Sequence, residues 1–174
     1  MKENFEKSVE LVLQSEGKFV DDPQDHGGAT NLGVTLKAWS EYVNRPVGVQ
    51  EIKDLTPLMV KPFYKQKYWN PAGCEIYPRG VDYAVFDFAV NAGVRRAVIT
   101  LQKAVGADAD GVLGSITQAL IKQANPLELL DKFTEEKKKF YQGLNQPRFE
   151  KGWINRVATV QTYAEKMIQG AGIS

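Results

Sequence analysis

Glu16-Gly17-Lys18-Phe19-Val20-Asp21-Asp22-Pro23-Gln24-Asp25-His26-Gly27-Gly28-Ala29-Thr30-Asn31-Leu32-Gly33-Val34-Thr35 is the most informative stretch of this chain. It opens on a carboxylate at the end of an apolar-periodic segment, and three further acids follow at Asp21, Asp22 and Asp25. Gly17, Pro23, Gly27, Gly28 and Gly33 break any helical run. With Asp, Asn and Thr between them, they are the chemistry of a loop or a tight β-hairpin. Acidic side chains delivered this way stand at the edge of a cleft, where a carboxyl group can donate a proton or stabilise a cation.

Upstream, Phe5, Val9, Val12 and Leu13 recur at helical spacing, which predicts a helix over 3–16 with Gly17 as its stop. Downstream, Thr35 can cap a helix running to about Asn44. Thr56-Pro57 pairs a capping hydroxyl with Pro at the first helical position, so a helix follows to Trp69, kinked at Pro62. Residues 81–90 are apolar almost all round and read as a buried helix. Asn91-Ala92-Gly93 interrupts it, and an apolar stripe then runs from Val94 to Val105. Asp108 to Gly114 is a turn, with Ser115 expected to cap a helix to Ala124. Asn125-Pro126 starts another helix and Gln146-Pro147 breaks it, and a last helix carries Trp153, Val157, Val160, Ala164, Met167 and Ile168. The fold class is therefore mainly α, with a small β-hairpin near residues 18–34.

The formal net charge is +1 over 174 residues, so bulk electrostatics give no reason to expect nucleic acid. The run Lys137-Lys138-Lys139 directly follows Glu135-Glu136 and reads as a solvated helix face. Cys74 is the one cysteine, which excludes an intramolecular disulfide, and it reads as a small buried hydrophobe. His26 is the one histidine, so neither a zinc site nor a Cys74–His26 nucleophilic pair is expected, and no cofactor is. Asp108, Asp110 and Gly111 lack the other positions of a calcium loop and read as a structural turn. No apolar run approaches the roughly 18 residues of a membrane span. The first ten residues have no signal-peptide core.

The stretch Glu16 to Thr35 resembles glycoside hydrolase family 108, a lysozyme-like family found in phage endolysins and related bacterial proteins. The family pattern is close to Glu-Gly-Gly-Tyr, an acidic stretch, Asp-Pro-Gly-Gly-Ala-Thr-Asn and Gly-Ile-Thr. Tyr68-Trp69-Asn70-Pro71-Ala72-Gly73 and Val85-Phe86-Asp87-Phe88-Ala89-Val90-Asn91-Ala92-Gly93 resemble the rest of its catalytic region. From about Gly93 the chain is similar to the family's companion peptidoglycan-binding-like region, through Leu101 to Gly106, Asp110 to Gly114 and Gly152 to Val157. Lys18 and Phe19 replace the usual Gly and Tyr, and His26 stands where the pattern has Pro.

The resemblance implies a two-lobed lysozyme-like helical fold, with 1–92 catalytic and 93–174 wall-binding. It implies N-acetylmuramidase activity on peptidoglycan glycan strands, with Glu16 as general acid. Glycosidic cleavage needs a proton on the leaving oxygen and help for an oxocarbenium-like centre, and partial burial keeps a Glu protonated near neutral pH. Asp25 and Thr30 match the lysozyme pattern of a hairpin Asp and a nearby Thr that hold a water. Asp25 can equally serve its own turn, and Thr30 can serve packing alone. Tyr64 and Tyr68 are the aromatics expected in the cleft, and Asn91 a sugar contact, while the tryptophans are expected in the core. The chain is expected to be a monomer, made in the cytoplasm and reaching the wall through holin-type release or dedicated secretion. A lytic transglycosylase, or a non-catalytic wall-binding or secretion accessory protein, remains an alternative.

Overall fold

The computed structural model describes residues 2–23 and 28–171. The chain divides into two compact units, one of residues Lys2–Lys67 and one from Tyr68 onward.

In the first unit, helix α1 (Lys2–Ser15) buries Phe5, Val9, Leu11 and Val12 along one face. Strands β1 (Thr30–Asn31) and β2 (Val34–Thr35) form the expected hairpin, antiparallel, with Thr30 opposite Thr35 and Asn31 opposite Val34. Its two-residue turn has positive φ at both corners, 52° at Leu32 and 73° at Gly33, the requirement of a type I′ hairpin. Helix α2 (Leu36–Val43) starts where expected, because the Thr35 hydroxyl accepts from the Ala38 N–H.

Helix α3 (Val49–Lys53) was not foreseen; five residues are too few to display a period. Helix α4 (Pro57–Tyr64) begins on the Thr56 cap as expected. It does not continue as a kinked α-helix to Trp69. Pro62 withholds the N–H that would close onto Leu58, and the chain then widens into a π-helical turn over Lys65–Trp69.

The second unit opens with a 3₁₀ turn at Cys74–Ile76, followed by α5 (Val81–Ala92), α6 (Val94–Val105), α7 (Ser115–Gln123), α8 (Pro126–Gly143) and α9 (Pro147–Ile168). Every residue of α5 from Val81 to Ala89 is buried, and α6, α8 and α9 all pack on it. Phe88 lies at the centre, with the rings of Phe133, Phe140 and Tyr141 edge-on at 5.6–6.0 Å. Gly80 lets α9 come close, since a Cβ there would run into the Ala164 carbonyl oxygen. This packing sets the unit boundary at 67/68. The expected division at 92/93 falls between α5 and α6, two helices of one core.

Two further readings change. Ser115 is the first residue of α7 rather than its cap; Gly114 occupies the cap position with no side chain to bond. Lys137 is not on a solvated face: it is fully buried, while Lys138 and Lys139 pair with Glu135 and Glu136 outside. Its ammonium lies 5.4 Å from the Phe133 ring and 5.7 Å from Phe88. Burial pushes it down to about 8, against the pull of Asp87. Asp87 itself accepts a 2.8 Å hydrogen bond from Arg156 on α9.

Cys74 is buried, as a small hydrophobe would be. The turn before α7 is pinned by Gln102, which donates to Asp110 and Val112 and accepts from the Gly111 N–H.

Candidate active site

Glu16 is the first residue past α1. Its N–H donates to Leu13 at 3.2 Å, closing the last turn tightly. Gly17 does not end the helix by a left-handed cap. Its carbonyl instead accepts the Leu32 N–H at 3.2 Å, tying the residue after Glu16 to the hairpin corner. Val20 and Thr30 then exchange both backbone hydrogen bonds at 2.8 Å. The chain leaving Glu16 is thus laid along β1, and the carboxyl group is delivered beside the Leu32-Gly33 turn.

Gly33 has no room for a side chain. A Cβ there would stand 2.5 Å from the Tyr64 hydroxyl oxygen and 2.7 Å from Glu16 Oε2. Both oxygens therefore approach the same point against the glycine, which its absent side chain and positive φ make possible. Glu16 is half-buried.

Three tethers fix this corner. Tyr64 donates to the Leu32 carbonyl at 2.8 Å. Asn31, buried in β1, donates to the carbonyls of Ile52, Lys53 and Leu55 at 3.0–3.3 Å, anchoring the hairpin to the end of α3. Lys61 bridges from α4 to Glu6 at 2.7 Å and Glu10 at 3.4 Å on α1. The hydrogen bond from Lys61 to Glu6 is the main cause that raises the lysine's pKa. Asn31 and Lys61 were not among the residues singled out from sequence. A polar Asn in a strand otherwise bounded by apolar positions was the available signal for the first.

Of the expected site residues, the structure brings Glu16, Thr30 and Tyr64 into the first unit around one hairpin. Thr30 is half-buried in β1, and its hydroxyl makes a long 3.4 Å contact to the Gly28 carbonyl. Asp25 and His26 lie outside the described residues. Tyr64 is corrected: at 1% exposure it has no ring face open to stack on a sugar. Tyr68 and Asn91 belong to the second unit. Tyr68 is half-buried, and Asn91 is exposed at the end of α5, with its amide donating to the Asp87 carbonyl at 2.7 Å.

Glu16 therefore stands half-buried just past the end of α1, beside the glycine corner of the hairpin. The family model for glycosyl hydrolase 108 matches residues 9–93. The solved structure of SagA from Brucella abortus is similar over nearly the whole length: 37% identity, TM-score 0.84, 97% of this chain and 98% of that one. The chain belongs to the glycosyl hydrolase 108 family. No curated protein is significantly similar to it. Membership makes the protein a glycoside hydrolase of lysozyme-like fold and supports peptidoglycan as its polymer. The matched residues include Glu16, the hairpin, α4 and α5.

Proposed function

We propose that this glycosyl hydrolase 108 member is an N-acetylmuramidase that hydrolyses the β-1,4 bond between N-acetylmuramic acid and N-acetylglucosamine. Glu16 is the general acid. The observation that carries this reading is the half-buried Glu16 carboxyl group held against Gly33 and Tyr64 in a glycoside hydrolase. Its position just past the carboxyl end of α1 adds to it, because the negative end of a helix dipole disfavours an anion and so favours the acid form.

In the reaction Glu16 protonates the glycosidic oxygen as the bond to the anomeric carbon breaks. The N-acetylglucosamine hydroxyl leaves, and positive charge develops on the muramic ring. Asp25 and Thr30 hold the water that attacks the opposite face, and Asp25 takes its proton. Asn91 and Tyr68 contact the glycan, and residues 93–174 hold the wall. The protein acts as a monomer and reaches the wall through holin-type release or a dedicated secretion route.

The test is to incubate purified peptidoglycan with the wild type and Glu16→Gln and weigh the released muropeptides. Fragments with reducing muramic ends are expected from the wild type. Glu16→Gln should lose about 100- to 10,000-fold in kcat, the usual contribution of a general acid. Anhydro-muramoyl ends would replace this reading with a transglycosylase. Fragments released equally by both proteins would remove Glu16 from the mechanism.

A further inference from the structure

We infer that Phe149 and Trp153 form an aromatic platform on the second unit that receives the C–H face of a sugar in the peptidoglycan glycan strand. This deepens the reading that residues 93–174 hold the wall, and rests on it.

Three rings climb out of the core where α8 passes into α9. Tyr141 is buried on α8 and meets the central Phe88 at 5.7 Å. Trp153 on α9 stacks on Tyr141 at 5.2 Å with 25° between the planes, and Phe149 stacks on Trp153 at 5.8 Å with 28°. At those separations the rings are offset rather than overlaid, so each step leaves part of a face uncovered. Exposure rises along the series, from 8% at Tyr141, through a half-buried Trp153, to 49% at Phe149. Trp153 is therefore not the core residue that a tryptophan was expected to be. Trp39 and Trp69 are buried, and their indole N–H groups donate to Glu51 and Glu75.

A ring held out into water forgoes apolar burial, and a stack seated on the core beneath it loses little further freedom on binding. The surroundings select the occupant. Asn145 and Gln146 are exposed beside the platform, and the Phe149 N–H closes onto the Gln146 carbonyl at 3.0 Å. The Arg148 guanidinium lies 5.5 Å from the Phe149 ring. A β-1,4-linked hexosamine has a face of axial C–H bonds and a rim of hydroxyl and acetamide groups. Its C–H face suits the negative face of an aromatic ring, and its rim suits side-chain amides that both donate and accept. Arg148 suits the carboxylates of the peptide stems on the strand. The exposed run 142–149 carries Leu144 as its only other large apolar side chain, too little to seal a docked helix or a second copy.

The test uses the full-length Glu16→Gln protein, so that glycan stays uncut, and chitohexaose as the probe. The ¹⁵N spectrum has three indole signals, and loss of one in Trp153→Phe assigns it. That signal should move saturably with chitohexaose. Phe149→Leu keeps apolar bulk but removes the flat face, and should weaken the midpoint about three- to tenfold, with Phe149→Tyr restoring it. Retention on purified sacculi should fall in the same order. A role in packing alone would lower the melting temperature of Phe149→Leu and leave the midpoint in place. A still Trp153 signal, or equal midpoints with and without the ring, would overturn the inference. So would self-association that Phe149→Leu abolishes while the indole stays still, since the face would then belong to a second copy.

If Phe149→Leu does not fold, N-bromosuccinimide oxidation of the Glu16→Gln protein takes its place. Trp153 should react before Trp39 and Trp69, and chitohexaose should protect it; absence of protection overturns the inference. The two readings fail apart. Equal muropeptide release by wild type and Glu16→Gln, with a ring-dependent Trp153 midpoint, would sink the acid and leave the platform standing. Glu16-dependent release with a still Trp153 signal would sink the platform alone.

Discussion

The two units are held together by different physics. In Lys2–Lys67 the contacts around the proposed acid are directional: Asn31 onto the end of α3, Tyr64 onto Leu32, Leu32 onto Gly17, and Lys61 onto α1. From Tyr68 onward the decisive contacts are apolar, with α5 buried along nine consecutive residues and Phe88 boxed in by aromatic rings. Hydrogen bonds fix orientation at a modest net free energy each, whereas apolar burial contributes most of the stability and little direction. The surroundings of the proposed acid are thus built for aim, and the centre of the second unit for strength.

The sharpest way to break that contrast is at its apolar end. Phe88→Ala should destabilise the second unit by about 3–5 kcal/mol, read from urea melts, because it empties the middle of a close-packed core. A loss below about 1 kcal/mol would mean the core does not depend on this ring.

The next effect concerns a charge cluster inside that core. Lys137 has a folded value of about 8 against an ordinary value of 10.5. Between those pH values the unfolded chain binds a proton that the folded chain does not. Stability should therefore rise with pH across that window, by about 3 kcal/mol at most, and the deficit should be fully present below pH 8. Tyr141, pushed up by burial to about 12, works the other way above pH 10, since the folded chain then keeps a proton the unfolded chain releases. Melts of wild type and Lys137→Met between pH 7 and 10 check this. The rise should be present in the first and missing from the second.

The smallest effect lies at the directional end. Asn31→Ala should cost about 1–3 kcal/mol by leaving buried carbonyls without their donor. Hydrogen exchange should quicken in the hairpin and in α3 while the amides of α5 stay protected. Equal deprotection of α5 would show that the contrast between the units is misdrawn.

Much of the architecture was legible. Thr35, Thr56-Pro57 and Asn125-Pro126 each marked a helix start by satisfying or dispensing with an orphan N–H, and each start is where expected. The hairpin was legible from its glycines, although Leu32 gave no hint of a left-handed corner, which the two-residue turn requires and whose carbonyl Tyr64 holds from 32 residues away. The same distance hid the role of Tyr64: an aromatic on a helix shows its apolar body in the sequence, not the partner of its hydroxyl.

Lys137 was misread because composition was weighed before period. It falls on the stripe Leu130, Phe133, Thr134, Lys137, Tyr141, all buried, so its place on the helix dictated burial despite its charged neighbours. The widening after α4 had Pro62 as its only sequence mark, and the type of distortion was not readable from it.

The bond from Arg156 to Asp87 bears on where this polypeptide can be shortened. Asp87 sits inside the most deeply buried helix, and one of its counter-cations arrives from a segment 69 positions later. A version trimmed ahead of that segment would keep Lys137 near the anion but strip the cover from α5, uncapping a dry interior and a half-neutralised carboxylate together. The C-terminal helix is therefore a keystone rather than an appendage, although it lies beyond the residues that mark the family.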